Sequence, residues 1–157
     1  MSKGQLQIIF IWIFVALVAV FVFIYGIKMV SNITNLGEDV RAAKFFQDFE
    51  KRVNEFYYLD EGSQKTESFL VPGWAEYVCF RGDGDFNIKF DETTKVFIDL
   101  NTGKNVFLAP ITNPEIHMQN VELLNNNENI CVKADNGNVD ITLINSGGKV
   151  NVKQKGL

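Results

Sequence analysis

Twenty residues, Ile8 to Ile27, carry no charge and no side chain more polar than tyrosine. A helix rises 1.5 Å per residue, so a run of this length reaches roughly 30 Å, the thickness of a bilayer's hydrocarbon core. In lipid each backbone N–H and C=O needs an internal partner, and one isolated segment supplies that only as a helix. The run exceeds the 7–15 residues typical of a secretory h-region, and no Ala-x-Ala comes after it, so a retained anchor is expected. The head before it, Met1 to Gln7, holds one charged side chain, Lys3.

The chain has 157 residues, and the part beyond the apolar run has the size of one domain with a connector. From Met29 onward thirteen basic residues face nineteen acidic ones. That balance excludes a nucleic-acid partner, whose affinity rests on neutralised phosphates. It also speaks against a surface pressed onto anionic lipid.

Ser31 to Gly37, SNITNLG, has the residue types of a helix stop and a new N-cap. Glu38 to Leu59 then has the pattern of an amphipathic helix. Val40, Ala43, Phe46, Phe49, Val53, Phe56 and Tyr57 fall at steps of three and four. Such a stripe packs on its own domain. In a sharper reading Val40, Phe46, Phe49, Val53 and Phe56 also form an oligomer interface with other copies.

From Asp60 the period changes to two. Strands are expected at Glu67–Val71, Ala75–Arg81, Phe86–Phe90, Lys95–Asp99, Asn105–Ala109, Ile116–Leu123, Asn129–Lys133, Val139–Ile144 and Lys149–Lys153. A turn cluster about every ten residues indicates a β-sandwich or small barrel. Asn136-Gly137 is the strongest hairpin signal, since a type I′ turn needs positive φ at both central residues. A weak internal repeat relates Glu76–Phe90 to Glu128–Leu143: each runs Cys, apolar, basic, small, Asp, turn, and then a second alternating strand.

Strand alternation places Cys79 beside Tyr77 and Arg81, and Cys131 beside Asn129 and Lys133, on the more polar face of each strand. If the two strands are neighbours, the thiols meet across the ladder, and a Cys79–Cys131 disulfide is expected. Such a bond needs an oxidising compartment and puts the domain outside the cytoplasm. The Lys/Arg count near the membrane points the other way, with Lys3 on one side and Lys28, Arg41 and Lys44 on the other. The cysteines are given precedence.

No constellation supports catalysis. His117, the single histidine, is tied by no motif to a nucleophile or an acid. Two cysteines and one distant histidine make a poor metal site. Asp83-x-Asp85-x-Asn87 opens like a calcium loop, but Ile88 and Thr94 stand where that loop needs glycine and glutamate, so an acidic hairpin turn is expected. No metal, no cofactor and no enzymatic activity are expected.

Lys3-Gly4-Gln5 directly before an apolar helix resembles the leader of archaeal type IV pilin-like proteins with class III signal peptides. The resemblance implies cleavage between Gly4 and Gln5 by a prepilin peptidase, and a helix that lies in the membrane or a filament core. It also implies an extracellular β-rich head and a homo- or hetero-oligomeric assembly. Many members carry glutamate where this chain has Ile9, which points to a minor subunit or assembly component. The expected fold is α+β: head 1–7, transmembrane helix 8–30, amphipathic helical stalk 31–59 and antiparallel β-sandwich 60–157. The expected protein is a non-enzymatic, single-pass cell-membrane protein in contact with membrane lipid, its C-terminal domain extracellular. The alternative is an anchor whose β-sandwich binds a protein or glycan of the cell envelope.

Overall fold

The computed structural model describes the backbone of residues 3–154 and the side chains of residues 10–27 and 37–153. The elements are, in order, α1 (Lys3–Tyr57), β1 (Gln64–Leu70), β2 (Tyr77–Phe80), α2 (Glu92–Leu100) and β3 (Val106–Ala109). They continue with α3 (Pro114–His117), β4 (Met118–Gln119), β5 (Ile130–Lys133), β6 (Asn138–Asn145) and β7 (Val150–Gln154). The fold class is α+β with antiparallel sheets. The chain divides into two compact units, Met1–Gly37 and Glu38–Leu157.

The first unit is helical. Its stretch Phe10–Ile27 is long and apolar enough to cross a membrane, and none of it is buried. The polar break expected at Ser31 to Gly37 is absent: the backbone of α1 is helical throughout. Ser, Thr and Asn disfavour a helix by only tenths of a kcal/mol each and Gly by about 1 kcal/mol, too little to end it.

The second unit begins with the rest of α1. Ala42, Phe45, Phe46, Phe49, Val53 and Phe56 are its buried residues. They join Phe69, Val78, Phe80, Leu108, Ile141 and Leu143 in one core. Phe45, Phe49, Phe69 and Phe80 meet as a run of ring contacts with centroids 5.3–6.1 Å apart. Two antiparallel sheets surround this core, one in the order β1-β6-β7 and the other β4-β3-β2-β5. β6 alternates strictly, with Val139, Ile141, Leu143 and Asn145 buried and the residues between them less so. Its hairpin to the preceding chain turns at Asn136-Gly137, where both φ angles are positive, 50° and 73°.

Three expected strands take other forms. Lys95–Asp99 lies inside α2, because Asp91 caps a helix there: its carboxylate accepts from the Thr94 N–H at 3.0 Å, and Glu92 sits in the first turn. Ile116–Leu123 shrinks to two-residue β4, because Asn113 as N-cap and Pro114 in the first turn start α3 just before it. Phe86–Phe90 has no strand; Phe86 and Phe90 pack on Phe107 instead, with centroids 5.4 and 6.0 Å away.

Candidate functional site

The disulfide between Cys79 and Cys131 is present. β2 pairs β5 antiparallel with Cys79 opposite Cys131, so the two cysteine strands of the internal repeat are sheet neighbours. The likeness ends there, because the second strand of one repeat is β6 in the other sheet and its counterpart, Phe86–Phe90, is irregular. The face expected to be polar is instead apolar and covered. Cys79 and Cys131 are 0% and 2% exposed, in a second apolar cluster with Ile98, Phe107, Ile111 and Met118. Both faces of this sheet are covered, one by α1 and the other by α2 and the 86–90 segment. Closing a loop of 52 residues, the bond contributes about 4 kcal/mol in the chain-entropy account.

The acidic segment after β2 is not a hairpin turn. Gly82 lies so close to Glu128 that a Cβ there would stand 2.5 Å from its backbone, and the Gly82 N–H donates to Asn129 Oδ1 at 2.8 Å. Asn87 then pairs with Cys131: Nδ2 donates to the Cys131 carbonyl at 3.1 Å, and Oδ1 accepts its N–H at 2.8 Å. Among the described residues no group of three His, Cys, Asp or Glu gathers as a metal site.

His117 is buried. Its ring stacks on Trp74 with centroids 4.0 Å apart, and Nδ1 accepts from the N–H groups of Thr112 and Asn113. Burial lowers its pKa, while Asp39 and the Pro110 carbonyl oppose that shift. The same end of the domain is tied to α1 by Glu38, which accepts from the Gly73 N–H at 2.6 Å and pairs with Arg41 at 2.9 Å. Arg81 donates to the Ile98 carbonyl at 2.7 Å, and partial burial lowers its pKa against the pull of Asp99.

Of the helical stripe, Phe46, Phe49, Val53 and Phe56 are committed to the core of their own domain, and Val40 is 61% exposed. Those four are therefore not available to a second copy. Ala43 is exposed, whereas Ala42 and Phe45, which the sequence pattern omits, are buried. Gly4 and Gln5 lie in the backbone of α1, and the Gln5 side chain lies outside the described residues.

The sequence pattern also misses a groove between the charged flank of α1 and β1. Arg41, Lys44, Asp48, Lys51 and Arg52 line one wall, and Glu67 to Val71 the other. Arg52 pairs with Glu55 at 2.6 Å, which raises its pKa, and Lys65 with Glu67 at 2.6 Å. No protein-family model, curated protein or solved structure matches this chain.

Proposed function

We propose that this protein is a single-pass, membrane-anchored, non-enzymatic pilin-like subunit, a minor component or assembly factor, with its disulfide-bonded head outside the cell. One observation carries the reading: Phe10–Ile27 is apolar on every side and nowhere buried. A helix apolar all round needs lipid or other helices around it. The layout adds support, since one helix, α1, holds both this stretch and the side chains around which the β-rich head closes. In this reading the two sheets are the halves of a sandwich with α1 between them. The buried disulfide supports the exterior location, because such bonds persist in oxidising compartments.

The test is the amino-terminal mass of the protein from membranes that contain prepilin peptidase. Loss of Met1 to Gly4 is expected, leaving Gln5 as the new terminus; a chain that keeps Met1 overturns the processed form. Labelling intact cells with a thiol reagent before and after reduction tests the location. Cys79 and Cys131 should react only after reduction, and reaction of both beforehand would remove the case for an exterior head.

A second reading keeps the anchor and omits processing: the head binds a partner of the cell envelope. The groove beside β1 favours it.

A further inference from the structure

The four sheet edges are treated very differently. The outer side of β5 is occupied by the Asn87 side chain, which takes both backbone groups of Cys131. The outer side of β7 is covered by 123–126: Val150 donates to the Leu123 carbonyl and accepts from Asn125, and Val152 donates to Asn126 Oδ1. β4 is two residues long. β1 has seven residues, pairs only with β6, and no chain lies hydrogen-bonded along its other side among the described residues.

The register tells which groups face outward. Ser63 accepts from the Asn145 N–H, and Val71 donates to the Gly137 carbonyl. In an antiparallel ladder the bonded residues alternate, so the odd-numbered residues of β1 point their backbone groups at β6. Gln64, Thr66, Ser68 and Leu70 therefore present N–H and C=O to the open side. That side is the groove along α1. A long open edge is a hazard that folded proteins usually blunt, and when it is kept it serves as a template for an added strand.

The walls indicate what the strand carries. The groove holds four cations, Arg41, Lys44, Lys51 and Arg52, against two carboxylates, Asp48 and Glu67. Arg41 and Arg52 are paired within α1, but among the described residues Lys44 and Lys51 have no ion pair. Over the rest of the chain from Met29 acidic residues outnumber basic ones, so this concentration of cations departs from the overall balance. Leu70, 71% exposed, adds an apolar contact at one end.

We infer that the open edge of β1 receives an extended, acidic segment of a partner protein, which adds as a strand beside α1 with its carboxylates toward Lys44 and Lys51. The inference stands whether or not the amino terminus is processed. It is tested on the full chain in detergent micelles with a fluorescent peptide as long as β1, alternating valine and glutamate. Three competitors are used: the same peptide with alternate backbone amides N-methylated in either register, and a valine–lysine peptide.

The acidic peptide should bind, the peptide methylated on the amides that face β1 should fail, and the one methylated in the other register, whose edge toward β1 is intact, should still bind. The valine–lysine peptide should bind at least about tenfold more weakly. Lys44→Glu with Lys51→Glu should weaken binding of the acidic peptide by about the same factor and make it less sensitive to salt. These lysines are exposed, so the variant keeps the fold, as an unchanged melting temperature would verify. Absence of binding, equal binding of both charge types, or binding indifferent to methylation overturns the inference. So does a micelle-borne dimer that excludes the peptide, since that outcome would assign the edge to a second copy.

Discussion

Asn145 joins three parts of the fold through one side chain. Its Nδ2 reaches the carbonyls of Phe56, Tyr57 and Leu59 at 2.7–3.1 Å, and its Oδ1 accepts from Gly147. The last carbonyls of a helix have no partner within the helix, so this buried amide supplies a donor at the end of α1. Asn105, Asn126 and Asn129 likewise bond backbone groups of other segments. In the sequence Asn105 and Asn129 read only as the first residues of expected strands and Asn126 as part of a turn, because the distant backbone groups they bond leave no mark in one dimension. His117 was legible only as a residue without a motif. Burial lowers its pKa against the pull of Asp39 and the Pro110 carbonyl, and its Nδ1 accepts from two N–H groups. The unfolded chain therefore takes up the proton first, at about pH 6.5, and stability falls as pH drops from there through the folded value, while it is flat above. His117→Phe keeps the stack on Trp74 and removes the proton site. Urea midpoints measured from about pH 7 to about pH 5 should fall less steeply in the variant than in the parent. Parallel slopes would show that the ring does not titrate differently on folding.

At the scale of elements, periodicity found Phe46, Phe49, Val53 and Phe56, which are buried, and missed only at the start of the stripe, where Ala42 and Phe45 are buried instead of Val40 and Ala43. The helix turns 100° per residue, and the wide apolar stripe can be read through Ala43 or through Ala42 and Phe45. The choice depends on where the sheets lie, which the sequence does not show. β2 and β5 posed the opposite problem: alternation was right, but the face that reads as polar is covered by α2 and Phe86. A cover supplied by distant residues leaves no mark on the strand itself. Phe49, fully buried and touching Phe45, Phe69 and Phe80, should be the sensitive position of α1. Phe49→Ala should destabilise the domain by about 3–5 kcal/mol, whereas Val40→Ala should change stability by less than about 0.5 kcal/mol. Chemical denaturation of both variants separates the readings. A larger loss at Val40 than at Phe49 would mean that the stripe faces another partner.

The whole molecule joins a stretch that is long and apolar enough to cross a membrane to a domain that needs part of the same helix. The first feature was plain in the sequence as twenty uncharged residues in a row. The second was hidden, because a change of period near Asp60 looks like a domain boundary. The compact unit starts instead at Glu38, with Glu38 and Asp39 placed in what would become a first helical turn, where carboxylates are favoured. Ala42, Phe45, Phe46, Phe49, Val53 and Phe56 all lie before Asp60 and all line the main core. Each buried Phe lost from a core costs about 3–5 kcal/mol, and a domain of this size has about 5–15 kcal/mol in total. A chain that begins at Asp60 therefore cannot hold the two sheets together, disulfide or not. A chain that begins at Glu38 keeps every buried residue among the described ones and loses the exposed apolar stretch Phe10–Ile27. It should be soluble without detergent, melt cooperatively and protect Cys79 and Cys131 from thiol reagents until reduced. The Asp60 chain should aggregate or show no cooperative transition. If the Asp60 chain melted cooperatively at the temperature of the longer one, α1 would be a passenger on the sheets instead of the element around which they fold.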